Sequence, residues 1–268
     1  MCGGDLAVWF AYAEPPRLET RFPLAKGAIY WRELHRCRCC GHFVEAFAPD
    51  QSALYLNEYV SATYQDDLGI RRAFDRINAL PPDRSDNIGR VRYVDAFWRE
   101  RHRVDEPQTP RLLDVGAGLG VFPFRMKQAG WDCTTLDLDE RLTAHHRAVV
   151  GVSGLAADVR TVVGIGPFDL ITFNKVLEHI PDPVETLASA SRLLATAGLI
   201  YIELPDGEAA EAEGKEREEY FLGHRHVFSF ASYALLVARA GLELVACERL
   251  REPSGKFTLR GFSRARAL

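Results

Sequence analysis

Residues 112–120 read LLDVGAGLG. Leu112 to Val115 are apolar enough, around the single Asp114, for a short buried strand. The chain then runs directly into Gly116, Gly118 and Gly120 at alternate positions. Glycine tolerates positive φ and carries no Cβ, so a backbone built from it can approach a ligand closely. Residues 122–128 are helix-compatible, and Pro123 falls where a first helical turn accepts it. Strand, glycine turn and helix together are the context in which a nucleotide-binding motif is meaningful. The spacing is not that of the dinucleotide fingerprint G-x-G-x-x-G, whose third glycine, counted from Gly116, would fall on Val121.

Working outward, strands and helices alternate from Thr109 onward. The expected strands are RLLDVG, DCTTLDLD, GLAAD, FDLITFNKV and LIYIELP, followed by LELVACERL and FTLRGF as an antiparallel pair. Helical candidates lie near 122–129, 140–149, 184–195 and 230–240. This alternation predicts an α/β fold: a doubly wound, Rossmann-like, mostly parallel sheet with helices on both faces and an antiparallel C-terminal strand. Ahead of it, 51–106 reads as a helical extension. One helix lies within LNEYVSATYQDDLGIRRAFDRI and is broken by Pro81-Pro82. A second, IGRVRYVDAFWRERH, is offered N-caps by Ser85, Asp86 and Asn87. Residues 1–50 read as an irregular cysteine-bearing module, and 107–268 as the main domain. The patch GEAAEAEGKEREE at 207–219 reads as acidic and exposed.

Asp137 closes the second strand, 21 positions after Gly116. A carboxylate there can accept hydrogen bonds from ribose hydroxyls. Asp139 beside it suits the N-cap of the following helix better. Asn174 and Lys175 stand at the carboxyl end of the fourth strand, where open α/β sheets bind ligands.

The D-x-G-x-G-x-G spacing from Asp114, together with FDLITFNKVLEHIPDP at 168–183, resembles class I S-adenosylmethionine-dependent methyltransferases over about residues 110–268. The resemblance implies S-adenosyl-L-methionine as methyl donor. It implies donor contacts from Asp114, Gly116, Gly118, Gly120, Asp137, Asn174 and Lys175, with Asp158 facing the adenine amino group or, alternatively, capping its loop. ELPDG, HRHVFSF and EPSGKFTLRGF look like a bacterial subgroup acting on small molecules or glycans. The expected acceptor is therefore a small molecule, sugar or glycan precursor, methylated at a hydroxyl. The alternatives are a nucleotide-sugar C-methyltransferase and, in a different class, an RNA-modifying or RNA-binding protein.

A hydroxyl acceptor must lose a proton, and a positioned base is worth about 10²–10⁴-fold. His224 and His226 follow the fifth strand and His179 follows the fourth, so all three are candidates; if 224–226 is extended, both of its imidazoles point the same way. Glu203 either steers one of them or forms a sheet-end salt bridge. Tyr220 and Phe221 read as pocket walls.

The chain of 268 residues is 47% hydrophobic and 26% charged, with a formal charge of −4. That balance provides no basic footprint for nucleic acid. No apolar run approaches the roughly 20 residues of a membrane span, and the first residues lack the order of a signal peptide, so a cytoplasmic location is expected; the oligomeric state is open. Cys37 and Cys40 form a C-x-x-C followed by Gly41, half of a structural zinc site. Similar knuckles precede the methyltransferase domain in sugar methyltransferases. MCGG at 1–4 resembles half of the partner knuckle. The metal reading therefore takes Cys2, Cys37 and Cys40, with His35, His42 or Cys39 as fourth ligand, against the alternative of unligated thiols.

Overall fold

The computed structural model describes residues 1–21, 30–47, 64, 66–102 and 109–266. The amino-terminal module is not irregular. It holds β1 (Leu6–Tyr12), β2 (Arg32–Cys37) and β3 (Phe43–Phe47), joined as an antiparallel meander. The strand pattern of RELHRC is concealed because its inward face begins with a charged residue. Arg32 is fully buried, as is its inward neighbour Leu34. A buried guanidinium is tolerated only when paired, and Arg32 is held by Glu19 at 3.0 Å and Glu45 at 3.1 Å. The Arg32 guanidinium also lies 4.2 Å from the ring centroid of Tyr12.

Next come α1 (Asp67–Asn78) and α2 (Asp86–Arg101). Asp66 caps the first by accepting from Gly69 N at 2.7 Å. Ser85 caps the second by accepting from Ile88 N at 3.3 Å. The part of the first expected helix that precedes residue 66, Tyr64 apart, lies outside the described residues.

The remainder is the expected alternation: β4 (Arg111–Val115), α3 (Val121–Gln128), β5 (Asp132–Asp137), α4 (Glu140–His145), β6 (Ser153–Ala156), β7 (Phe168–Asn174), α5 (Pro183–Ser191), β8 (Leu194–Pro205), α6 (Gly207–Glu211), β9 (His226–Val227), α7 (Phe230–Arg239), β10 (Leu242–Arg251) and β11 (Phe257–Ala265). Seven of these strands form one sheet in the order β10-β11-β8-β7-β4-β5-β6. Neighbours among β8, β7, β4, β5 and β6 are parallel; β11 runs antiparallel to both β8 and β10.

Two boundaries move. α5 ends at Ser191 rather than near 195, because Leu194 already pairs with Phe168 in the sheet. The 207–219 patch is not uniformly exposed: Glu219 is buried, accepting from Arg217 at 2.8 Å and from Phe257 N at 2.6 Å. The sheet buries alternate residues on its two faces, as strand pleating requires. Leu113, Val115, Ile171, Phe173, Ile200 and Ile202 pack in one core. Leu112, Leu170, Leu199 and Tyr201 pack in the other, against Val94 and Trp98 of α2. Each such apolar side chain contributes about 1.5–3 kcal/mol.

The amino-terminal meander belongs to a second, four-stranded sheet. Its sheet is completed by β9, with Phe43 opposite Val227 and Val44 opposite His226.

Candidate active site

The carboxyl ends of β4, β5 and β7 meet at the glycine turn. Gly116, Gly118 and Gly120 have φ of 66°, 52° and 72°. Those left-handed angles strain any residue with a Cβ. Their surroundings differ. A Cβ at Gly116 would strike Val176 at 2.8 Å, and one at Gly120 would strike His146 and Val150 at 2.9 Å, whereas a Cβ at Gly118 would meet no protein atom within 4 Å. The outer two glycines are needed for packing. The middle one leaves open the face a ligand would approach.

Asp137 lies beneath that face. Its Oδ2 accepts from Gly118 N at 3.0 Å and its Oδ1 from Asp139 N at 3.1 Å. Burial pushes its carboxyl above the usual range. Both oxygens retain acceptor capacity for ribose hydroxyls. Asp139 is the N-cap of α4, accepting from Arg141 N at 2.9 Å. Asp114 is buried and bound at Oδ1 by Thr172 Oγ1 (2.6 Å) and Asn174 Nδ2 (2.8 Å); burial raises its carboxyl to about 7. The Asn174 Oδ1 is buried without a hydrogen-bond partner, an acceptor waiting for a donor group. These features fit an S-adenosylmethionine molecule lying across the turn.

Asp158 is engaged by its own loop, accepting from Arg160 N at 2.8 Å and pairing with that guanidinium. Lys175 lies on the other side of its strand end. Its Nζ donates to Thr258 Oγ1 at 2.6 Å and stands 4.0 Å from Glu203. Glu203 is fully buried and forms the sheet-end salt bridge: Arg90 Nε donates to it at 2.5 Å and Tyr201 OH at 2.9 Å. These partners hold its carboxyl at about 2 against the opposing push of burial. It does not orient an imidazole.

His146 was not among the sequence candidates. It is fully buried; its Nε2–H donates to Gly118 O at 2.7 Å and its Nδ1 accepts from Thr135 Oγ1 at 2.9 Å. Burial lowers it to about 4, so it stays neutral. It clamps the turn from behind. A histidine inside a helical run carries no local sequence signal for such a role.

Past the end of β7 lies a cavity of about 320 Å³, lined by Lys175, Glu178, His179, Phe221, His224 and Lys256 among others. Glu19 and Thr20 of the amino-terminal module line it too. His179 Nδ1 donates to Gly223 O at 2.8 Å, and His224 Nδ1 to Glu219 O at 2.7 Å. Their rings meet edge-on at 4.9 Å.

His226 is elsewhere. It lies in β9, stacks on His42, shares an Nδ1···Nε2 contact of 3.1 Å with it, and reaches Pro181 O at 3.3 Å. The chain bends at Arg225 and is extended only from 226, so the two imidazoles do not share an orientation. Phe221 is a cavity wall; Tyr220 is core, donating to Gly207 O.

At the far end of the meander, ligand sulfurs of Cys2, Cys37 and Cys40 lie within 4.8 Å of one another. Cys2 and Cys37 Sγ are 3.4 Å apart, and Gly4 N donates to Cys2 Sγ. Chiefly through that N–H, the Cys2 thiol is lowered to about 6, favouring the thiolate a metal requires. His42 is unsuited as fourth ligand, both its nitrogens being engaged with Ser232 and His226. His35 Nε2 is paired with Glu33 at 2.8 Å. Cys39 sits at the cluster: a Cβ on Gly4 would meet Cys39 Cβ at 2.8 Å and the Cys37 and Cys2 sulfurs at 3.1 and 3.3 Å.

A sequence profile described as a methyltransferase domain matches residues 65–247. The chain belongs to this methyltransferase-domain family. It is 30% identical over 138 residues to a ubiquinone biosynthesis O-methyltransferase of Pseudomonas aeruginosa, covering 49% of this chain and 56% of that one. It is 31% identical over 155 residues to the enzyme of the same description from Xanthomonas axonopodis pv. citri, covering 52% and 65%. The match thus spans 56% and 65% of the length of these two relatives. Among solved structures, Burkholderia thailandensis 1,6-didemethyltoxoflavin-N1-methyltransferase superposes with a TM-score of 0.58 at 20% identity, over 88% of this chain and 96% of that one. That likeness establishes the shared fold. No helix among the described residues is long and apolar enough to cross a membrane.

Proposed function

We propose that the protein is an S-adenosylmethionine-dependent methyltransferase acting on a small polar acceptor, at a hydroxyl of a small molecule, sugar or glycan precursor. The observation that carries this reading is the loop 174–179. Its Asn174 binds Asp114 and its Val176 packs on Gly116, while Lys175, Glu178 and His179 line the cavity. One loop joins the donor cradle to the acceptor space.

When bound, the donor supplies a methyl group already activated on a sulfonium. The chain's task is chiefly alignment, which supplies about 7–11 kcal/mol of such a barrier. Asp137 and Asn174 hold the donor, with Asp158 at its adenine end, and the cavity walls orient the acceptor. The acceptor oxygen would form its bond to carbon as the sulfur–carbon bond breaks, and its proton would leave on the side of the cavity where His179 and His224 stand. Acidic and basic linings, Glu19, Glu178, Glu218 and Glu219 with Lys175 and Lys256, favour a hydroxyl-rich acceptor over an apolar one. In the amino-terminal module, Cys2, Cys37 and Cys40 fit a structural zinc ion, with Cys39 completing the four ligands that tetrahedral zinc requires.

The test is mass spectrometry of cell extract incubated with the protein and methyl-labelled donor. One class of polar metabolite should gain label in a protein-dependent manner. Labelled RNA or labelled protein instead would overturn the acceptor assignment.

A further inference from the structure

Glu178 stands out among the cavity residues. Its side chain is fully buried, and neither carboxylate oxygen has a hydrogen-bond partner. A buried carboxylate without a partner is costly, and it is compensated either by a proton or by a cation. Burial pushes the Glu178 carboxyl above its usual range.

What stands next to it indicates the compensating group. Ligand atoms of Glu178, His179 and His224 lie within 4.8 Å of one another. Both imidazoles donate Nδ1–H to a backbone carbonyl, Gly223 O and Glu219 O at 2.8 and 2.7 Å. In each ring that bond places the proton on Nδ1, so a metal ion would be taken at Nε2. This is the outer-shell arrangement typical of metal-ligating histidines.

The local charge agrees. Of the two lysines lining the cavity, Lys256 is paired with Glu218 at 3.6 Å and Lys175 donates to Thr258. Among the lining carboxylates Glu19 pairs with Arg32 and Glu219 with Arg217, while Glu178 keeps both oxygens without a hydrogen bond.

We propose that Glu178, His179 and His224 form a two-histidine, one-carboxylate site for a divalent cation at the floor of the acceptor cavity. Three protein ligands leave positions open toward the cavity, as in catalytic metal sites. An acceptor oxygen occupying one of them would be held and made more acidic. The residue classes match manganese, iron, cobalt or zinc better than calcium or magnesium. The role assigned to the ion rests on the methyltransferase reading; the site itself does not.

The test uses the full chain and manganese(II), titrated by calorimetry and by loss of the free-ion paramagnetic resonance signal. Wild type should bind one ion per chain. Glu178→Gln and His224→Ala should each weaken binding at least tenfold, and Cys37→Ser should leave it unchanged, which separates this site from the cysteine cluster. Binding of S-adenosylhomocysteine, measured in parallel, reports that each variant is folded. Absence of saturable manganese binding in donor-competent wild type overturns the proposal. So does unchanged binding in both donor-competent variants. Ion binding without donor binding would instead defeat the methyltransferase reading and leave the ion site standing.

Discussion

The two halves of the site are built differently. The donor side is local: Asp114 to Gly120 is one continuous run, and Asp137 follows within one strand-helix-strand unit. The acceptor side is assembled from distant segments. Glu19 comes from the meander, Lys175 to His179 from the end of β7, His224 from the loop before β9 and Lys256 from the turn before β11. Backbone geometry dominates the first half, and buried charge pairing the second. The two should therefore fail differently when perturbed.

The largest effect is expected at Arg32. Its guanidinium ties Glu19 to Glu45 and donates to Tyr220 O at 2.6 Å; Glu19 in turn accepts from Leu222 N at 2.6 Å. Arg32→Met leaves two buried carboxylates without their cation, and denaturant unfolding should show a loss of about 3–5 kcal/mol. Whatever folded protein remains should bind S-adenosylhomocysteine as wild type does. A parallel loss of donor affinity would show that the two halves are energetically one.

Gly118→Val is the counterpart on the donor side. No protein atom obstructs the new side chain, but a branched residue at φ 52° is strained and fills the open face. Donor affinity should fall by about 100-fold or more, roughly 3 kcal/mol, while the variant stays folded. Normal affinity would remove the turn from the donor site.

His146 offers a pH test of the clamp. Its folded-state value is about 4, against about 6.5 unfolded. Below 6.5 the unfolded chain takes up a proton that the native histidine refuses. The stabilisation is therefore complete above pH 6.5 and is lost as pH falls toward 4. The difference, about 2.5 units at 1.36 kcal/mol each, bounds the effect near 3 kcal/mol. His146→Asn should flatten the wild-type decline between pH 7 and 4.5 by about one proton, read from denaturant midpoints. Parallel profiles would sink the assignment.

Asp137→Ala should weaken S-adenosylhomocysteine binding by about 1.5–3 kcal/mol, the size of a hydrogen bond to a charged group. Asp139→Ala should leave that affinity alone and cost about 1 kcal/mol of stability as a lost cap. The reverse pattern would exchange their roles.

The smallest effect on turnover is expected at His226. It lies on the meander with His42, so His226→Ala should keep methyl transfer within about threefold of wild type. A loss of 10²-fold or more would return it to the list of bases.

The donor half was legible because its signals are local. Glycines at alternate positions, apolar runs and helix spacing gave the parallel sheet and its ligand-binding edge, and the N-cap role of Asp139 could be read two residues from its helix. The meander was hidden because Arg32 occupies an inward strand position where apolar alternation expects a hydrophobic residue. The pairing of His224 with His226 misled for a related reason: spacing by two matters only if the backbone is extended, and here the chain bends at Arg225.

By itself the sequence determined the class of fold, the place of the glycine turn and a set of titratable residues near it. Those depend on φ preferences and on side-chain period, which act over a few residues. Only the tertiary structure decided which of those residues meet. It set Glu178, His179 and His224 around one cavity, sent His226 to His42, gave Glu203 to Arg90 and placed His146 behind Gly118. Such partnerships arise from long-range packing and from the need to neutralise buried charge, and no local pattern in the chain encodes them.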